Sequence, residues 1–268
     1  MRFHPGFSLD RAMAAASSAG VLTPPLNVIP ARSWAPDRSD AWWSTYLPIT
    51  LVVAVVAIWA VAPEFYVNHV LPEGFGFLEL SQFVLAAAAS VLCALALRFD
   101  VVKGSRLLWI AVFFFALAAF YIAGEEHSWG QHFFNWNTPA YWSEINRQQE
   151  TNLHNTSPWF NQRPKLLFDN AMFIGGLLIP FVQQWTGTFR QPLLALLTPP
   201  LAIAPAALIA LSFKVVDDLG KDVLGTPLFT RPSEVVETFQ YLYMFYYVLV
   251  LRRRLLALDA AGVKRVTL

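Results

Sequence analysis

Residues 124–136, GEEHSWGQHFFNW, set two glutamates, a histidine, a serine, a glutamine and a second histidine within eight positions. Residues 146–155, NRQQETNLHN, add Glu150, Asn152, His154 and Asn155. These are residue types of acid–base and metal chemistry. A carboxylate and an imidazole move protons between water and a substrate. Two or three carboxylates with a histidine hold a zinc-like divalent ion that activates water. Glu125, Glu126, Ser128, Glu150 and His154 are therefore the candidate catalytic residues, and Glu126, Glu150 and His154 the candidate ligands of one divalent ion. If residues 146–155 are helical, Glu150 and His154 stand side by side at i and i+4. If the preceding helix continues, Glu125, Ser128, Trp129 and His132 form one stripe, and His127 and Gln131 another. The stronger zinc signatures, an HExxH helix or paired cysteines, are missing from the sequence.

Such groups need elements to hold them, and these elements read as membrane helices. Residues 107–123, LLWIAVFFFALAAFYIA, contain no charge. The 268-residue chain is 56% hydrophobic and 14% charged, where soluble domains carry about 25% charged residues. The deficit falls in blocks. Six stretches approach the roughly 20 apolar residues of a span: 44–62, 77–97, 107–124, 166–185, 193–213 and 235–251. The fold class is thus all-α, a polytopic membrane bundle of about six helices over 44–255, with an amphipathic loop at 125–165. Residues 1–43 read as a mostly irregular tail with a short helix after Ser8, and 256–268 as a second tail. Pro199, Pro200 and Pro205 should kink or break the fifth span, and Gly175 and Gly176 allow close helix contact in the fourth. Cys93, the one cysteine, reads as a buried structural thiol.

Orientation follows from Lys and Arg. With both termini inside, 13 fall on cytoplasmic segments and 6 on outer ones. The chain reads as an inner-membrane protein of a bacterium with both termini cytoplasmic. A net charge of +1 excludes nucleic acid as an expected partner. Membrane lipids, and other membrane subunits, are the expected ones.

In that orientation the acids share one end. Glu79 and Gln82 open the second span; Glu125, Glu126 and Ser128 end the third. Asp169 opens the fourth, Asp217 follows the fifth, and Glu234, Glu237 and Gln240 open the sixth. A charge in a membrane helix is costly and faces the bundle interior or a water-filled cavity. Asp169, Asp217 and Glu234 read as interface markers, since helix N-termini and membrane boundaries accept acids. Glu79, Glu125, Glu126 and Glu237 should surround one cavity, with Gln131, Asn152 and Asn155 as a supporting network.

The pair GEEHSWGQ and NRQQETNLHN resembles the signature EExSWGQ…NxQxExNxHN of a family of bacterial multi-pass membrane proteins. The resemblance implies a site at Glu125, Glu126, Ser128, Gln131, Glu150, Asn152, His154 and Asn155, and brings no reaction with it. Three functions fit the residues. The first is a membrane-embedded hydrolase, metal-dependent or using Glu–His acid–base chemistry, acting on a lipid or another amphiphile. The second is a non-enzymatic subunit of a larger membrane complex with lipid or pigment contacts, and the third a proton-coupled transporter.

Overall fold

A computed structural model describes residues 42–188 and 192–266. The expected tail and the helix after Ser8 lie outside these residues. All regular structure among the described residues is helical, as expected for a polytopic all-α bundle. Five helices are long and apolar enough to cross a membrane: α1 (Trp42–Val61), α2 (Phe77–Ala96), α3 (Arg106–Glu126), α4 (Pro158–Thr186) and α5 (Leu193–Leu224). The sixth expected span, 235–251, falls in α6 (Pro232–Ala260), which is not among those five; it has 29 residues, about 43 Å at 1.5 Å per residue. It is less apolar than the others, because Glu234 and Glu237 lie near one end and Arg252, Arg253 and Arg254 near the other.

Burial explains why α6 tolerates that composition. Between Val235 and Val248 it is buried on nearly every face, and it packs against both α2 and α5. The charged ends of a central helix find partners in the bundle, whereas α1 must show lipid an apolar surface. Accordingly Val53, Val56 and Val61 of α1 are exposed. α2 packs closely on α3 through small residues, with Ala86, Ala89, Cys93 and Ala96 facing Ala116, Ala119 and Ala123. Small side chains let two backbones approach and gain dispersion contacts where no hydrophobic drive exists. The Ser90 hydroxyl donates to the Ala116 carbonyl at 2.9 Å across this seam.

Three boundaries differ from expectation. α4 begins at Pro158, eight residues before 166, because Ser157 caps it by accepting from the Phe160 N–H and Pro158 suits its first turn. Thr198, Pro199 and Pro200 break α5, but Pro205 starts its second segment, Ala204–Asp218, rather than kinking it. Residues 256–266 belong to the bundle. α6 runs to Ala260, and beyond it Val263 and Val266 enter the core, with the Val266 N–H donating to Ser105 Oγ at 2.6 Å. Within α4, Ala171–Leu178 winds as a wide π-helical turn.

Candidate functional site

α3 stops at Glu126, and the chain turns sharply. Ser128, Trp129 and Gly130 have φ of 46°, 57° and 101°. Only glycine adopts such φ without cost, so the surroundings must hold Ser128 and Trp129 in place. They do so through Glu125. The Trp129 indole folds back over α3 and donates to Glu125 Oε1 at 2.8 Å. Gly124 makes the room: a Cβ there would lie 2.7 Å from the indole. Glu125 Oε2 accepts the backbone N–H groups of Leu153 and His154, each at 2.8 Å, with His154 Nδ1 at 3.3 Å. Glu125 therefore fastens the long loop to the end of α3.

The rest of the signature completes that attachment. Ser128 and Asn152 have no solvent exposure. Ser128 Oγ donates to Glu150 Oε2 at 2.9 Å and accepts from Asn152 Nδ2 at 2.9 Å. His132 Nε2 lies 3.2 Å from Glu150 Oε1 and 3.3 Å from Ser128 Oγ. Gln131 Oε1 accepts from the N–H and the hydroxyl of Thr151, and its amide donates to Thr138 Oγ1. Asn146 Nδ2 donates to Asn152, while Asn146 Oδ1 accepts the N–H groups of Gln148 and Glu150. Asn155 Nδ2 donates to Gln148 Oε1, and the Asn155 carbonyl accepts the Arg147 N–H. Buried polar groups need such partners, and here they find one another.

Two expectations are thereby corrected. Residues 146–157 are not helical, so Glu150 and His154 do not share a helix face. Glu150 turns to Ser128 and His132, and His154 to Glu125. The continuing stripe after Glu125 is absent as well, although the left-handed turn restores two of its contacts, Trp129–Glu125 and Ser128–His132.

His127 and His132 are shifted in opposite directions. Burial lowers the His127 pKa to about 4, and neither ring nitrogen has a hydrogen-bond partner among the described residues. Its ring lies against Phe133, with centroids 3.8 Å apart, and Phe83, at 4.8 Å. Glu150 raises the pKa of His132 through their hydrogen bond. Burial alone would raise Glu150, but bonds from His132 and Ser128 bring it below the ordinary carboxylate value.

Beside this network lies a polar cavity of about 240 Å³. Its wall carries Glu79 from α2, Glu126 from α3, Lys165 from α4 and Glu234 and Glu237 from α6, with Glu73, Glu150, His132, His154 and Arg231 from the loops. Glu126 Oε1 accepts from the Tyr241 hydroxyl at 2.8 Å. Lys165 Nζ meets Glu237 Oε1 at 2.5 Å. Arg231 Nη2 meets Glu234 at 2.8 Å and Glu79 at 3.4 Å, and the Gly74 N–H donates to Glu79 Oε2 at 2.5 Å. The expected convergence thus holds for Glu79, Glu126 and Glu237. Glu125 is the exception; it faces only a neighbouring neck of about 80 Å³.

Glu234 and Asp169 exceed the interface role expected of them. Glu234 lines the cavity, and Asp169 ties three helices through Lys214, at 3.2 Å, and Gln240, at 2.5 Å. Asp217 does behave as a surface residue, paired with Lys221 at 2.7 Å. The metal trio Glu126, Glu150 and His154 does not assemble. Among the described residues no three His, Cys, Asp or Glu side chains converge as ligands; the Glu150 carboxylate and His154 Nδ1 are engaged in the loop network.

Tyr241 and Arg231 join the site beyond the residues expected there. Tyr241 carried a readable signal: Glu234, Glu237 and Tyr241 follow i, i+3, i+7 along one face of α6. Arg231 carried half of one: Glu234 stands three positions on, but its other partners, Glu73 and Glu79, lie far back in the chain. Compared with family profiles, with curated proteins and with solved structures, this chain matches none.

Proposed function

We propose that this multi-pass membrane protein is a membrane-embedded hydrolase of the acid–base type, with its site in the polar cavity facing the outer side of a bacterial inner membrane. One observation carries the reading: Glu126, at the end of an apolar span, lines a cavity beside a second carboxylate, Glu237, that is already paired with Lys165. Two carboxyl groups in different settings take different roles, here proton transfer for Glu126 and the holding of a cation for Glu237. Glu126 takes a proton from water as the water oxygen attacks an ester- or amide-type carbonyl. The Lys165 ammonium, held by Glu237, stabilises the oxyanion that forms. Glu126 then returns the proton to the leaving group, so that acid and alcohol or amine are released. Tyr241 orients Glu126 through its hydroxyl.

The test is to reconstitute the purified protein with a total bacterial lipid extract and follow products by mass spectrometry. Glu126→Gln should lower product formation about 10²–10⁴-fold with an unchanged thermal unfolding profile. Equal product from wild type and variant, or none from either, overturns the enzyme reading.

The accessory-subunit reading has an observation of its own. Every polar signature residue apart from Glu126 is engaged in fastening the loop. On that reading Glu125→Gln and Glu126→Gln both act through stability alone, at about 1–3 kcal/mol per group left unsatisfied. The hydrolase reading reserves that outcome for Glu125.

A further inference from the structure

The polar cavity has an apolar extension. A groove of about 590 Å³, within the size range of small-molecule sites, runs between α3, α4, α6 and the broken part of α5. It is lined by Phe115, Gly175, Leu197 and Met244, among other apolar groups. Groove and neck share Tyr121, Ile122, Pro164 and Phe168, while neck and polar cavity share Glu126, His154, Asn161, Lys165 and Glu237. Trough, neck and polar cavity therefore adjoin through shared side chains and form one row of spaces, the passage, from apolar walls to carboxylates.

Irregular backbone shapes the trough. One wall is the wide turn Ala171–Leu178 of α4, where the Cβ position of Gly175 has no atom within 4 Å. The other is the break in α5, with Thr198 and Pro199 outside any helix.

The charges at the passage's end do not balance. Six glutamates line the polar cavity against two permanent cations, Lys165 and Arg231, and two imidazoles, His132 and His154, of which His132 is engaged by Glu150. Lys165 is engaged by Glu237, and Arg231 by Glu234 and Glu79. Glu126 has the Tyr241 phenol as its one hydrogen-bond partner among the described residues. Carboxylates crowded away from bulk water repel one another unless protonated or met by a cation.

We infer that the passage seats a long-chain amphiphile with a protonated amine head, its hydrocarbon chain in the groove and its ammonium before Glu126. This deepens the proposed function and rests on its reading of the polar cavity as the substrate site. An ammonium brings three donors and no acceptor, which suits a wall of carboxylate oxygens. An anionic head of equal size meets like charge, and such juxtaposition gives specificity by exclusion. The groove's width at Gly175 sets how much chain is accepted.

The probes are hexadecylamine and hexadecanoic acid, equal in chain length and opposite in charge near neutral pH. Binding of each to the full-length protein in nonionic detergent is measured at equilibrium. The amine should bind at least about tenfold more tightly, a difference of about 1.4 kcal/mol. Gly175→Trp, filling open space, should weaken both probes by about tenfold or more, and Gly175→Leu serves where tryptophan lowers the yield of folded protein. Glu126→Gln should reduce the preference for the amine. Equal binding of the two probes, or undiminished binding with both Gly175 variants folded, overturns the inference. Binding requires no turnover, so the two proposals fail separately. Amine selection beside Glu126-independent hydrolysis sinks only the enzyme reading, and Glu126-dependent hydrolysis beside equal probe binding sinks only this one.

Discussion

At the scale of single residues, adjacent positions have opposite duties. Glu125 and Glu126 are neighbours on the last turn of α3, about 100° apart around its axis. One turns into the loop, where two N–H groups and an indole meet it; the other turns toward α6, where it meets Tyr241. His127 belongs to neither group, and its burial has a pH signature. Its folded pKa of about 4 lies below the ordinary value near 6.5, so below about pH 6.5 the unfolded chain binds the extra proton. The stability of its neutral burial is thus present above that pH and is lost as pH falls toward 4. His132 and Glu150 add their stability between the lowered pKa of Glu150 and the raised one of His132, and the His127 and His132 rings, with centroids 5.4 Å apart, oppose each other's protonation. His127→Phe keeps the aromatic packing and removes the titration. Thermal unfolding measured from pH 7 to 4.5 should fall less steeply in the variant; parallel profiles would show that His127 is solvated as the loop sits.

At the scale of elements, the α4–α6 contact separates two consecutive glycines. Both suggested close packing from the sequence, yet their environments differ. A Cβ at Gly176 would lie 2.3 Å from the Tyr243 hydroxyl, while at Gly175 it meets nothing. Gly176→Leu should therefore destabilise by about 1–3 kcal/mol through overpacking. Gly175→Leu should leave the unfolding midpoint in detergent nearly unchanged. Equal losses at both positions would place α4 in a different rotation about its axis. The same rotation decides the mouth of the groove, so the pair also serves as a control for the binding experiment.

At the scale of the whole molecule, the acids gather at one end of the bundle and Arg252, Arg253 and Arg254 lie toward the other. On the proposed orientation the acid end is outside. Cys93 is buried, so the native chain offers little background to thiol reagents. Ala140→Cys, in the loop, should react with an impermeant maleimide on intact spheroplasts. Labelling only after permeabilisation would reverse the orientation and place the cavity toward the cytoplasm. Either result leaves the site's internal geometry as described.

The amino-acid pattern by itself determined five of the six expected spans, because apolar runs of helical length have few other stable outcomes in lipid. It also determined which end of the bundle collects carboxylates, since each acid occurs at a predictable depth in its own span. The division of labour between Glu125 and Glu126 was not legible: a 100° rotation separates anchor from cavity wall, and only the packing of α3 sets that rotation. The non-helical course of residues 146–157 was equally hidden. There the side chains of Asn146 and Asn152 take over the backbone's hydrogen bonds, so helical spacing, the usual guide, does not apply. Contacts such as Arg231 with Glu79, 152 positions apart, and the passage joining groove to cavity exist only once six helices are packed. They depend on the distances between elements, and local sequence does not encode those distances.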